Sequence, residues 1–191
     1  MLSVTEFCPD PATRECYVRY GLYDAYDTFL HYGYVERQAP FVVSIPFEID
    51  LPSLGRLIIH AVSGRIVRRD LPKEVADLAF YFPSFEIDRP TKSAEVGYLM
   101  IPQQNAPRAM RRVLAIIIHE IDPHLGGPEI ATIVESIEPL ILAGNMRFYR
   151  NLRNYLKALK TPAAFENIIS AAMDMMEVQL AKLRKYPFFS G

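Results

Sequence analysis

Between Tyr17 and Tyr34 the chain carries six tyrosines and one phenylalanine in eighteen positions, although aromatic residues make up 12% of the whole and tryptophan is absent. Tyrosine suits half-buried strands, and that accounts for some of them. It does not account for Tyr20-Gly21 and Tyr32-Gly33-Tyr34 framing a short predicted helix. Phenol rings around a narrow channel offer faces that attract a free or partly methylated ammonium, and hydroxyls that fix a hydrogen bond. Such a channel suits a lysine side chain.

A second grouping, His119, Glu120 and His124, lies within six residues and invites a metal reading. Zinc on one helical face needs histidines four apart, whereas these are five apart with Pro123 between them. A helix end with a hydrogen-bonded histidine explains them better. Arg108, Arg111 and Arg112 form one basic patch, and Arg147, Arg150 and Arg153 another at helical spacing; both read as solvated helix faces. Met173, Met175 and Met176 read as packing residues of a helical core. The chain has no GxGxxG, GxxxxGK[ST] or GxSxG sequence.

The elements that must position these residues divide into two regimes. Residues 15–20 have strand character, and 24–31 carry an N-cap candidate, Asp24, followed by apolar Ala25, Phe29 and Leu30. Residues 41–49 predict an extended stretch interrupted at Pro46, an edge strand or a bulge. Residues 55–62 and 65–68 flank Ser63-Gly64, a dipeptide suited to a tight hairpin, and 80–87 predict another extended segment interrupted at Pro83. From Asn105 the periodicity becomes helical: 107–121, then 129–143 with a kink at Pro139, then 147–159. A last helix starts at Thr161-Pro162 and repeats Phe165, Ile168, Ile169, Ala172, Met176, Leu180 and Leu183 at three- and four-residue steps.

Composition bounds the partners. A chain of 191 residues with 50% apolar content builds a substantial core, and 21 basic against 22 acidic residues leave no global field for a nucleic-acid backbone or an anionic membrane. Cys8 and Cys16 are too few for a disulfide framework, so a reducing, cytoplasmic setting is expected. The longest apolar runs, such as 113–118, fall far short of the roughly 20 residues of a membrane span.

The stretch Glu-Cys-Tyr-Val-Arg-Tyr-Gly at 15–21, a short helix, and Phe-Leu-His-Tyr-Gly-Tyr-Val at 29–35 together resemble the closing part of a SET domain of the Rubisco large-subunit methyltransferase type. The chain beyond residue 35 is also similar: a proline-interrupted extended stretch, then a mostly helical region ending near Gln-Leu-Ala-Lys-Leu-Arg-Lys-Tyr at 179–186. The motifs cover 15–35; beyond residue 100 the likeness is one of architecture. The resemblance implies an α+β protein, with 1–40 the β-rich C-terminal part of a SET-type catalytic domain. Residues 41–191 would then be a substrate-binding domain, mainly α-helical after 105.

The resemblance also implies protein-lysine N-methylation, with S-adenosylmethionine as methyl donor and a protein or peptide as partner. Tyr20 matches the family's active-site tyrosine, beside the methyl-transfer channel; Tyr32 and Tyr34 match the Tyr-Gly-aromatic turn that lines the lysine channel. The family's lysine attacks as a neutral amine, which desolvation must favour because free lysine titrates near pH 10.4. Two positions depart from the pattern. Ala25 stands near a usual asparagine, and Tyr34 replaces a common phenylalanine, where an added hydroxyl can hold a water.

The Gly-rich segment and Asn-His motif through which the family binds its cofactor do not occur before Tyr17, so no cofactor-binding residue is assigned. The expectation is the back half of such an enzyme: a chain with an artificial start, a descendant that lost its cofactor half, or one whose N-terminal catalytic half is supplied by a second polypeptide. The alternative is a non-catalytic protein- or peptide-binding module derived from one.

Overall fold

The computed structural model describes residues 6–7, 17–18, 23–51, 53–61, 73–103, 106, 108–160 and 162–186. Helix (54%) outweighs strand (17%), the sheets are small and none closes into a barrel, so the fold class is α+β, as the sequence led us to expect.

The first helix, α1 (Ala25–Tyr32), forms where the sequence places it because Asp24 caps it: Oδ1 accepts from the backbone N–H of Tyr26 at 2.9 Å and of Asp27 at 3.0 Å. Gly33 ends it in the left-handed region (φ 74°), and its N–H returns to the Phe29 carbonyl. Before α1, short strands β1 (Glu6–Phe7) and β2 (Tyr17–Val18) pair antiparallel.

The stretch expected as one extended segment over 41–49 is instead two strands, β3 (Phe41–Val43) and β4 (Phe47–Asp50), which belong to different sheets. Between them, Pro46 lacks a ladder donor, and Ser44 and Ile45 bond to a helix instead: Asn145 Oδ1 accepts from Ile45 N at 2.9 Å and Asn145 Nδ2 donates to Ser44 Oγ at 3.0 Å. β3 pairs antiparallel with β8 (Met100–Pro102). β4 joins a four-stranded sheet in the order β4, β5 (Arg56–His60), β7 (Ser93–Gly97), β6 (Ser84–Asp88), whose central β5–β7 pair is parallel. The hairpin expected at Ser63-Gly64 lies outside the described residues.

Alternation places one row of side chains, Ile49, Leu57, Ala94 and Ile87, beside a second, Phe47, Ile59, Val96 and Phe85, on a single apolar face. Helix α2 (Ala109–Ile121) packs there through Met110, Val113, Leu114, Ile117, Ile118 and Ile121. The opposite face carries Glu48, Glu95 and Glu86 and is wet.

The two helices expected over 129–143 and 147–159 are one, α3 (Gly127–Ala158), 32 residues long with Pro139 inside it. Gly144 and Asn145, which lie between the two expected spans, are packed: the Phe47 ring lies 3.6 Å from where a Cβ on Gly144 would stand, and Asn145 is fully buried. Burial of the flanking residues holds the helix through that point, overriding local propensity. A 3-10 turn (Ala163–Phe165) leads into α4 (Glu166–Arg184), which begins a few residues later than its expected start at Thr161-Pro162; Thr161 lies outside the described residues. Met175 and Met176 sit in the core that α4 shares with α3.

Ala25 of α1 belongs to that same apolar core, so the described residues before and after position 40 are packed together. No helix among the described residues is long and apolar enough to cross a membrane.

Candidate functional site

At the C-terminal end of α1 four rings gather. Tyr23 meets Tyr32 edge-on at 5.9 Å between ring centroids, and Tyr32 stacks on Tyr34 at 6.1 Å with 28° between the planes. His31 lies 6.0 Å from Tyr23 and 6.1 Å from Tyr32. Gly33 makes this possible, because its positive φ turns the chain so that Tyr34 comes back over Tyr32. Tyr32 and Tyr34 are 45% and 53% exposed, so the stacked pair lies open to solvent. Tyr20, the third tyrosine singled out from the sequence, lies outside the described residues.

Next to the rings lies a carboxylate that the sequence did not single out. Asp27, on α1 one turn before His31, is 8% exposed and accepts a hydrogen bond from the Tyr98 hydroxyl. Burial, then the neighbouring Asp24 charge, raises Asp27 from the ordinary 3.8 to about 6, against the lowering pull of Tyr98 and His31. Tyr98 stands between β7 and β8 with φ at 64°, a conformation that costs a bulky residue about 1–3 kcal/mol. Its N–H donates to the His60 carbonyl at 3.0 Å, which helps hold the strained turn. Burial and the Asp27 contact push the Tyr98 hydroxyl well above its ordinary value, so it stays a donor.

Behind Asp27 is a structural network. Asp24 Oδ2 accepts from Val43 N at 2.7 Å and from Gln179 Nε2 at 2.5 Å, in addition to the two capping bonds on Oδ1. Burial pushes the Asp24 carboxyl above its ordinary value while the four bonds oppose the rise. Gln179 Nε2 also reaches the buried Tyr149 hydroxyl at 3.3 Å. These contacts dock α1 on α4 and fix the azimuth at which α1 offers its ring-bearing end. One turn beyond Gln179, the buried Lys182 amine has no hydrogen-bond partner among the described residues, and burial lowers its basicity.

The other sequence candidates stay apart from this site. His119 closes α2, and His124 follows it in a turn where its N–H donates to Asp122 Oδ1. The described residues contain no group of three metal-ligating side chains. Three of the arginines expected on solvated faces tie elements together: Arg111 to Glu138, Arg112 to Asp77 and Arg153 to Glu177. Glu138 is buried and also accepts from the Tyr186 hydroxyl, so the α2 to α3 contact carries a bonded charge.

S-adenosylmethionine asks for acceptors toward its ribose and ammonium and for donors toward its carboxylate. Asp24 already accepts four donors inside the protein, and Asp27 is clamped by Tyr98. No protein-family model, curated protein or solved structure matches the chain.

Proposed function

We propose that the chain is the lysine-binding and substrate-docking portion of a protein-lysine methyltransferase, with the methyl donor held by residues other than those described. The observation that carries this reading is the open cluster of Tyr23, Tyr32 and Tyr34 at the end of a rigidly docked helix. Aromatic faces at this spacing attract an ammonium group, by about 0.5–1 kcal/mol per exposed ring and more as water is excluded. The helical body then supplies the surface along which the rest of a substrate protein lies. Tyr20, by the likeness to SET enzymes, orients the amine.

A second reading, a peptide-binding module without catalysis, is favoured by a separate observation. Both buried carboxylates beside the rings are committed to internal hydrogen bonds, and Tyr155, Phe165 and Ile168 expose apolar surface where α3 meets α4.

The test is a titration of the full chain with lysine-bearing peptides, followed by incubation with S-adenosylmethionine and mass spectrometry of the peptide. Saturable binding that a Tyr32→Ala, Tyr34→Ala double variant loses supports the ring site, and unchanged affinity in that variant overturns it. A methyl mass increment on lysine then supports the enzyme; binding without one leaves the module.

A further inference from the structure

We infer that a basic stripe on α3 docks against the acidic outer face of the four-stranded sheet in a second copy of this chain. The protein then self-associates through two surfaces that its own fold leaves uncovered. This contact is independent of the lysine-binding role proposed for the rings.

Positive charge gathers on the hairpin that α3 and α4 build. Residues 139–173 include five basic side chains and one acidic one, in a chain whose net charge is −1. Arg153 is tied to Glu177 across the two helices. Arg147, Arg150 and Lys157 are exposed and have no ion pair among the described residues. Steps of three and seven residues put these three on one face of α3, and at 1.5 Å per residue the stripe is about 15 Å long. Tyr155, within the same span, is 63% exposed.

Negative charge gathers on the sheet face opposite α2. There Glu48, Asp50, Glu86, Asp88 and Glu95 are exposed against one arginine, Arg56, and one histidine, His60. Arg56 pairs with Glu48 at 3.2 Å and approaches Asp50 at 3.6 Å, so the β6–β7 side keeps the larger excess of carboxylates. Glu86 and Glu95 stand directly opposite each other in the antiparallel pair, an arrangement that destabilises a sheet and that a cationic partner relieves.

The two surfaces also agree in size. Strand register sets Glu48, Ile58, Glu95 and Glu86 in one row across the four strands. With neighbouring strands about 4.8 Å apart, the row is about 14 Å long and carries three carboxylates, against three cations on a stripe of the same length. Half-buried Ile58 lies inside the row and offers apolar contact to Tyr155. No ion pair among the described residues joins stripe and row within one molecule. A net charge of −1 leaves little overall repulsion between copies, so local complementarity decides how they meet.

The experiment is sedimentation velocity of the full chain, with circular dichroism to check that each variant folds. The wild type is expected to self-associate at about 0.02 M salt and to weaken by about tenfold or more at about 0.5 M, as screened contacts do. A stripe variant, Arg147→Glu, Arg150→Glu and Lys157→Glu, is expected to be monomeric, as is a row variant, Glu48→Lys, Glu86→Lys and Glu95→Lys. An equimolar mixture of the two is expected to associate again, because each reversed surface then meets its complement. If the row variant does not fold, loss of association in the stripe variant decides. A monomeric wild type at low salt, association that the stripe variant retains, or a mixture of folded variants that stays monomeric overturns the inference. A monomeric wild type that binds a glutamate-rich peptide through the stripe also overturns it, and gives the stripe to an acidic partner of another kind.

Discussion

Asp24 and Gln179 stand 155 residues apart in the chain, yet the Gln179 amide donates to the Asp24 carboxylate in the protein interior. One oxygen of Asp24 starts α1 and the other receives α4 and the β3–β8 pair. The ring cluster at the far end of α1 therefore takes its orientation from a single buried side chain.

Asp24→Ala removes a cap, worth about 1 kcal/mol, and leaves the Val43 N–H and the Gln179 amide without their acceptor, at about 1–3 kcal/mol for each buried group. A loss of about 3 kcal/mol is expected by urea denaturation, with collapse of the Tyr23 to Tyr34 ring signals before global unfolding. A loss below about 0.5 kcal/mol, the size of an ordinary surface effect, contradicts this assignment.

Tyr32→Ala and Tyr34→Ala behave differently. Both side chains are about half exposed; Tyr32 meets the rings of Tyr23, His31 and Tyr34, and Tyr34 stacks on Tyr32. Each substitution is expected to change stability by no more than about 1 kcal/mol, the value of an aromatic pair, while weakening lysine-ligand binding. Calorimetric melting beside the ligand titration separates the two effects, and a large drop in Tm would assign these rings to the core instead.

The sign of the pH effect at Asp27 follows from its raised value. Between 3.8 and about 6 the folded chain binds more protons at this residue than the unfolded one, so Asp27 penalises folding above about 6 and the penalty fades as pH falls. Asparagine keeps an acceptor for Tyr98 without the charge. Asp27→Asn is therefore expected to melt higher than the wild type at pH 8, with the difference shrinking by pH 5. Exposed Asp77 and Glu177 and half-buried Asp122, lowered chiefly by hydrogen bonds to Arg112, Arg153 and Lys92 respectively, act in the opposite sense and are common to both proteins. A gap that widens toward pH 5 reverses the assignment.

How much of this arrangement was readable in advance depended on sequence distance. The α1 cap is local, so Asp24 followed by apolar residues announced the helix, and Gly33 announced its end. The second duty of Asp24 was invisible because its acceptor bonds reach 19 and 155 residues onward. Asp27 and Tyr98 are 71 residues apart and carry no motif; only the fold of β7 and β8 brings them together. β7 itself, Ser-Ala-Glu-Val-Gly, has weak strand propensity, and it occupies the sheet interior because small Ala94 and Val96 fit under α2. That 129–143 and 147–159 form one helix was hidden as well, since the residues between them are held by distant partners: Phe47 packs on Gly144, and Asn145 bonds Ser44 and Ile45. The ring cluster was legible as composition, but its exposure was not.

Two glycines that look alike in the sequence should respond very differently to alanine. Gly55 lies in the turn between β4 and β5, where a Cβ would stand 2.2 Å from the Thr91 carbonyl oxygen, 2.5 Å from Ser93 Oγ and 2.8 Å from the Lys92 carbonyl oxygen. Two of these neighbours are backbone, and the Lys92 carbonyl also accepts the Gly55 N–H at 3.0 Å, so neither side can withdraw without losing a bond. Gly55→Ala must push the β4–β5 turn away from the β6–β7 turn and loosen the parallel β5–β7 pair between them. The expected destabilisation is about 1–3 kcal/mol, the range for forced overpacking. Gly127 opens α3, and outside its chain neighbours a Cβ there meets nothing within 4 Å. In Gly127→Ala the reduced entropy of the unfolded chain favours folding by about 0.4–1 kcal/mol, while crowding of the new Cβ against the Pro128 ring opposes it, so a net change below about 1 kcal/mol is expected. Urea midpoints of the two variants, measured side by side, should separate, with Gly55→Ala well below the wild type and Gly127→Ala close to it; a stable Gly55→Ala protein would mean that the two turns are not in contact.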